Sequence, residues 1–459
     1  MGSTDECQTK FGNFIHGALR DFVDWRNRDG YSPNRFFLFF FSRMLRSIKG
    51  LKDLIPSQTP SWHYMEGKAR SWAGRYGFAE IRTPIFESTE LFSRSIGGAT
   101  DIVEKEMYTF PDRDGSSLTL RPEGTAGVVR AVLEHQLLGS ITTRKLFYIG
   151  PMFRHERPQA GRYRQFHQFG VEAFGIEDPG IDVEVISLLW SFFTDLGLKD
   201  LTLHINSIGT VQDREAYILQ LKKFLSPIVS TLCGNCQRRF TANPLRILDC
   251  KVPHCMENTQ RAPSIIELLP DSSGSHFQNV LSGLKDIAIP FTINPRLVRG
   301  LDYYSRTTFE ITSPHLGAQS TIGAGGRYDT LVELLQGPPT PAVGFAVGLE
   351  RVSLLLPEGA SKPTSPIVFL AGFGTHGKPI ASKILHVLRQ KGISAETDHK
   401  ATNLKGLLRS ADKLSVKISI IIGDDEAQAG MAILRNMETK EQESVPLEEI
   451  PHKVIGFFQ

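Results

Sequence analysis

KLFYIGPMFRHERPQAGRYRQFHQFGVE, residues 145–172, contains two strand-like runs joined by a basic loop. Along Lys145–Glu156, alternation puts Phe147, Ile149 and Phe153 on one face and Tyr148, Gly150, Met152 and Arg154 on the other. The apolar face reads as core, and Arg154 points into whatever the sheet holds. The second run puts Gln168, Gly170 and Glu172 on a single face, with glycine leaving floor space between an amide and a carboxylate. Between them, Arg157, Arg162 and Arg164 stand with Tyr163, Pro158 and Gly161, a loop suited to a polyphosphate or an RNA end.

Working outward, an amphipathic helix is expected over Trp62–Arg75 and a strand over Phe78–Arg82, with a break at Pro84. Strands follow at Ser117–Arg121, Lys145–His155, Arg164–Phe174 and Leu201–Ile208, with a helix at Asp182–Leu196. Hairpin-linked strands with flanking helices predict an α+β fold with a mainly antiparallel sheet. Residues 211–289 turn helical and read as an inserted subdomain. Strand signals resume at Leu297–Thr312 and Gln319–Arg327, completing a catalytic domain of residues 44–210 and 290–356. A stretch rich in Pro, Ser and Lys (PEGASKPTSP) precedes alternating elements at Ile367–Phe373, Ile380–Lys391, Ser394–Thr397, Leu404–Lys413 and Ile418–Gly423. Residues 365–459 therefore form a separate α/β domain.

The chain has 459 residues, 41% hydrophobic and 22% charged, with a net charge of +3. It is long enough for two or three cored domains, and a nucleic-acid partner would have to be held by local basic surface. The apolar run Phe36–Phe41 is far short of the roughly 20 residues that cross a bilayer. Residues 1–43 carry Asp5, Glu6, Asp21, Asp24 and Asp29, unlike an acid-poor transit peptide, and read as a poorly ordered extension or an alternative start. Five cysteines, four of them between 233 and 255, suggest a reducing cytoplasmic setting. Cys233, Cys236, Cys250 and Cys255 are spaced C-x2-C-x13-C-x4-C, close to a structural zinc site; reduced thiols that simply pack are the other reading.

Further polar clusters stand at Arg121 and Glu123, which share a face if the strand persists through Pro122, and in LVRGLDYY, residues 297–304. Any single arginine among them reads as readily as a solvated or ion-paired surface group. In GAGGRYD, Gly325 and Gly326 permit either a close approach to substrate or a tight turn.

FRHERPQAGRYRQFHQFGVE resembles motif 2 of class II aminoacyl-tRNA synthetases, and GFAVGLERV resembles motif 3. TLRPEGT, LVRGLDYY and GAGGRYD are similar to stretches of the histidyl-tRNA synthetase family. The resemblance implies an antiparallel-sheet catalytic domain with a helical insertion and a C-terminal anticodon-binding domain. It implies ATP-dependent activation of L-histidine with Mg2+, transfer to tRNA(His), and a homodimer formed through motif 1 around Ile81–Gly97. By that resemblance Arg154 and Arg299 act on the α-phosphate as catalytic residues, while Arg162 and Arg351 bind ATP. Glu123 and Thr125 take the substrate amino group, Gln168 its carboxylate, and Glu172 with Tyr304 the two imidazole nitrogens. Tyr303 and Tyr328 complete the histidine pocket. Lys400, Lys405, Arg409 and Lys413 could face RNA phosphates or merely solvent. Two rivals differ: a regulatory subunit on the same fold would be expected to lack LVRGLDYY and the C-terminal domain, and a synthetase for threonine, proline or glycine would not need the Glu172 and Tyr304 pair.

Overall fold

The computed structural model describes residues 45–97, 100, 102–139, 143–317, 320–360 and 368–457. The extension over 1–43, with its FFLFFF run, lies outside them, as does most of the Pro- and Ser-rich stretch. Residues 1–53 and 54–459 are two units. The described part of the first, 45–53, contains no helix or strand.

In the second unit, the chain lays down β1 (Ala79–Glu80), β2 (Phe86–Ser88), β3 (Tyr108–Pro111), β4 (Ser117–Leu120), β5 (Arg144–Phe153), β6 (Gln165–Phe174) and β7 (Thr202–Ser207), then β8 (Thr292–Ile293), β9 (Ser305–Thr312), β10 (Thr321–Arg327) and β11 (Ala342–Gly348). Eight of these form one sheet in the order β1-β5-β6-β11-β10-β9-β7-β8. Its six inner strands are antiparallel, and β1 and β8 add to the edges in parallel. β2, β4 and β3 make a small separate antiparallel sheet.

The main sheet is covered on one side by α1 (Thr59–Arg75) and α4 (Gly180–Asp195). Between them in sequence lie α2 (Thr89–Ile96) and α3 (Thr125–Glu134). In α1, Trp62, Met65, Ala69 and Ala73 recur on one face and are buried; α4 contributes Val185, Leu189, Phe192 and Phe193 to the same core as Phe147 and Phe169. The segment 211–289 folds as α5 (Val211–Leu225), α6 (Gly234–Ala242), α7 (Pro253–Asn258) and α8 (Asp271–Asp286). Of these, α8 packs on α4 and buries Phe277, Val280 and Leu284 in the main core, so it stands apart from the rest of the insert. The insert's own apolar residues, among them Leu221, Leu245 and Ile247, join the cluster on the sheet's opposite face with Tyr148, Tyr304 and Tyr328.

After α9 (Leu349–Ser353), the C-terminal part builds a five-stranded sheet from β12 (Val368–Gly372), β13 (Ala395–Glu396), β14 (Ile418–Ile422), β15 (Met431–Asn436) and β16 (Gln442–Pro446), ordered β13-β12-β14-β15-β16. α10 (Gly377–Gln390) packs on one face of it and α11 (Leu404–Lys413) on the other.

LVRGLDYY departs from the expected strand: β9 begins only at Ser305, and 297–304 is a loop. Its backbone is satisfied from far along the chain, with Asn206 Nδ2 donating to the Leu297 carbonyl at 3.0 Å and Arg214 Nη1 to that of Tyr304 at 2.9 Å. The strand also ends before Pro122, as a residue without an N–H dictates. Arg121 then turns away from Glu123 and donates to the carbonyls of Thr83 and Pro151, both at 2.8 Å. The glycines of GAGGRYD make no turn. They run through the middle of β10, where a Cβ on Gly325 would lie 2.1 Å from the Gly344 carbonyl oxygen, so the close approach is of strand to strand.

Candidate active site

Glu172 lies on β6 opposite Leu146 of β5 and Gly344 of β11, and is 1% exposed. Gly344 makes the room, since a Cβ there would stand 2.1 Å from Glu172 Oε2. Three hydroxyls face the carboxyl. Thr125 Oγ1 donates to Oε1 at 2.7 Å, the Tyr148 hydroxyl stands 3.5 Å from the same atom, and the Tyr328 hydroxyl donates to Oε2. Burial pushes the Glu172 pKa up to about 8; the Tyr328 and Thr125 donors pull against it, and the nearby Glu123 adds to it.

The floor above Gly170 is not open. The Tyr148 ring fills it, wedged between Gly170 and Gly124, at each of which a Cβ would lie 2.3 Å from a ring carbon. Tyr303 packs against Tyr304 at 4.8 Å between ring centroids and against Tyr328 at 5.6 Å. Burial raises the pKa of all four phenols, which are therefore neutral donors.

Glu123 opens α3, accepting from the Thr125 and Ala126 backbone N–H groups at 2.7 and 2.8 Å. A carboxylate at a helix start is favoured by the helix dipole, although burial raises its pKa. Gln168 carries a buried Oε1 with no hydrogen-bond partner among the described residues.

Arginines crowd the other end of the cavity. Arg154 Nε donates to the Pro122 carbonyl at 2.8 Å, and its guanidinium lies 5.4 Å from the centre of the Phe166 ring. Arg299 Nη1 reaches Glu310 Oε2 at 3.3 Å, which leaves its Nε buried without a hydrogen bond. Arg162 pairs with Glu156 at 2.9 Å. Arg351 stands on α9, and burial followed by the charge of Arg162 lowers its pKa. Its neighbour Glu350 takes the His167 backbone N–H at 2.9 Å, tying α9 to β6.

All the site residues expected from the sequence other than the cysteines line one cavity of about 290 Å³: Glu123, Thr125, Gln168 and Glu172 with the three tyrosines at the polar floor, Arg154, Arg162, Arg299 and Arg351 around the rest. Sequence reasoning gave no function to Tyr148, Glu156, Phe166 or Glu350. The signal for Tyr148 is its place opposite Gly170 across the β5–β6 pair; Phe166 carries none that separates it from core.

The cysteines form a second centre in the insert. The four sulfurs lie within 4.8 Å of one another, and Cys236, Cys250 and Cys255 are buried. None is in a disulfide.

The family model described as histidyl-tRNA synthetase matches residues 50–216 and 254–352, and one described as an anticodon binding domain matches 368–456. The chain belongs to the histidyl-tRNA synthetase family. It is 48% identical over 412 residues to the histidine--tRNA ligase of Desulfatibacillum aliphaticivorans, covering 90% of this chain and 98% of that protein. It is 50% identical over 404 residues to that of Trichlorobacter lovleyi, covering 88% and 96%. The apo S. aureus histidyl-tRNA synthetase matches its structure with a TM-score of 0.77 at 38% identity, over 90% of this chain and 100% of that one. A Bacillus halodurans chain described as an ATP phosphoribosyltransferase regulatory subunit/histidyl-tRNA synthetase has a TM-score of 0.61 at 20% identity, over 83% of this chain and 99% of that one, and shares the fold. The stretch 217–253, outside the family's matched range, contains three of the four cysteines.

Proposed function

We infer that this chain is a histidine–tRNA ligase, and the observation that carries the specificity is the buried Glu172 carboxyl ringed by hydroxyls at the floor of an arginine-lined cavity. A neutral imidazole offers one donor and one acceptor, which Glu172 and the Tyr304 hydroxyl read from opposite edges. Apolar substrates would leave these groups unpaired.

In the first step a carboxylate oxygen of histidine attacks the α-phosphorus of ATP, the bond to the β-phosphate bridging oxygen breaks, and pyrophosphate leaves with the electron pair. Arg154 and Arg299 approach the α-phosphate from two sides and Arg162 and Arg351 take the outer phosphates, offsetting the charge that builds there. In the second step a terminal ribose hydroxyl of tRNA(His) attacks the histidyl carbonyl, and AMP leaves. Glu123, each of whose carboxylate oxygens keeps a second lone pair, takes the ammonium of histidine, where the unmet amide oxygen of Gln168 can also accept, and the Gln168 amide N–H group donates to the carboxylate. Thr125 contributes through Glu172, to which its hydroxyl is already bound.

Magnesium fits as an ion held mostly by ATP itself. Of the cavity's carboxylates, Glu123 and Glu350 serve backbone N–H groups and Glu172 serves hydroxyls. Glu156 is bound by arginines that the phosphates would recruit, which frees it for the ion. The ion would screen the phosphate charge.

Residues 44–210 and 290–356 are read as the catalytic domain, 211–289 as its insert and 365–459 as the domain that binds the anticodon. Exposed Ile85, Phe86 and Phe110, the latter two paired at 6.3 Å, support a homodimer formed through the motif 1 region. The four thiols are read as a structural zinc site in a cytoplasmic protein: tetrahedral zinc sets sulfurs roughly 3.8 Å apart, and Cys233 and Cys250 stand at 3.9 Å. Among the described residues, no helix is long and apolar enough to cross a membrane.

Pyrophosphate exchange with each of histidine, threonine, proline and glycine tests the reading. Histidine alone should support exchange; exchange with another of them overturns the specificity, and exchange with none overturns the enzymatic reading.

A further inference from the structure

The chain between the two halves of the cysteine cluster is pressed against the loop that carries Arg299. Asn243 Nδ2 donates to Asp302 Oδ1 at 2.7 Å. The Arg246 guanidinium lies over Gly300, where a Cβ would come within 3.4 Å of one of its nitrogens. Just before the loop, Arg296 donates to the carbonyls of Leu248 at 3.0 Å and Thr259 at 2.7 Å, and the Thr259 hydroxyl donates to the Cys255 carbonyl at 2.7 Å. A small cleft lined by Asn243, Leu245, Arg246, Arg299, Asp302 and Tyr304 marks the seam.

Neither Asn243 nor Arg246 lines the reaction cavity. The loop 297–304 has no helix or strand of its own, so its shape depends on groups that grip it from outside. Those groups lie just after α6 (Asn243), in and after the short turn Pro244–Ile247 (Arg246, Leu248) and just after α7 (Thr259); α6 and α7 have 9 and 6 residues, and helices so short are unstable without a cross-link. Tyr303 and Tyr304 are held from another side, by the aromatic cluster and by Arg214. The cysteine-bearing part of the insert thus meets the loop on both sides of Leu301, at Gly300 beside Arg299 and at Asp302.

We propose that Asn243 and Arg246 are positioning residues for Arg299, held in place by zinc at the four-cysteine centre. This rests on the zinc reading above. The link separates binding from chemistry: Tyr304 is held by Arg214 of α5 and by the aromatic cluster, whereas the cysteine-bearing part of the insert meets the Arg299 loop at Gly300 and Asp302.

The test uses the full chain. Metal analysis should find about one zinc per chain, as a four-thiolate site requires. Asn243→Ala should keep that zinc, bind histidine within about twofold of the unaltered chain, and lower kcat for histidine-dependent exchange on the order of tenfold to a hundredfold. Asn243→Asp, which sets a second carboxylate against Asp302, should lose at least as much. Stripping zinc should lower kcat in the unaltered chain, with recovery on adding zinc back, but should cost Asn243→Ala little more, because the link is already cut. An unchanged kcat in Asn243→Ala overturns the positioning role. Losses that simply multiply in the stripped variant overturn the coupling to the metal. A protein purified without zinc overturns the metal reading, and the Asn243→Ala arm then judges the positioning role by itself.

Discussion

With its pKa raised to about 8, Glu172 is mostly protonated at neutral pH, while free imidazole, near 6.5, is mostly not. The complex pairs a neutral imidazole, its N–H donating to the Glu172 carboxylate, with the Tyr304 hydroxyl, so Glu172 must give up its proton to bind and an imidazolium must give up its own. Below about pH 8 the first proton stands in the way, and below about pH 6.5 the second as well. KM for histidine should therefore be lowest above about pH 8 and rise toward tenfold per pH unit as pH falls from there to about 6.5. A KM that stays flat between about pH 6.5 and 8 would sink this account. Glu172→Gln should abolish the rise between about pH 8 and 6.5 and lower kcat/KM for histidine roughly 10- to 150-fold, the value of a hydrogen bond to a charged group. At this scale, sequence put the carboxylate on the right face of its strand, but the shift comes from burial, opposed by Thr125 and Tyr328, 47 and 156 positions away, and no local pattern announces either.

Among the elements, the β10–α4 junction depends on one charge. Arg327 is fully buried; it pairs with Asp182 at 2.7 Å and donates to the carbonyls of Ile176, Glu177 and Asp178 at 3.0 to 3.1 Å. Arg327→Met would leave Asp182 buried and uncompensated, a loss expected to be about 3–5 kcal/mol in the denaturant midpoint. A loss below about 1 kcal/mol, the level of a surface pair, would refute that role. The long elements were legible: the runs read as Lys145–His155 and Arg164–Phe174 form as Arg144–Phe153 and Gln165–Phe174, because alternation over ten residues leaves one register that buries Phe147 and Phe169. The loop 297–304 was not legible, since its dense charges look like a strand face while its partners lie about 90 positions upstream. β16 gave a weak signal because it is the edge strand and largely uncovered; β15 beside it is paired on both sides, yet only Ala432 and Leu434 are buried.

Over the whole molecule, the cavity and the stretch matched by the anticodon-binding model lie in different parts of the chain. Lys405, Arg409 and Lys413 recur every fourth residue along α11 and are exposed, as is Lys400 just before it. Charge reversal of the three helical residues should raise KM for tRNA several-fold at low salt, flatten its salt dependence, and leave histidine-dependent exchange unchanged, as phosphate contacts predict. A tRNA KM that does not move would make this a solvated face. The Tyr148 wedge likewise joins distant stretches, since Gly124, Tyr148 and Gly170 occupy one column through the floor. Its consequence is historical. No descendant of this chain can gain a side chain at either glycine until the ring at 148 has already been lost, and losing that ring first opens a void beneath the substrate. The order of substitutions is thus constrained, and the three positions should be inherited as a block.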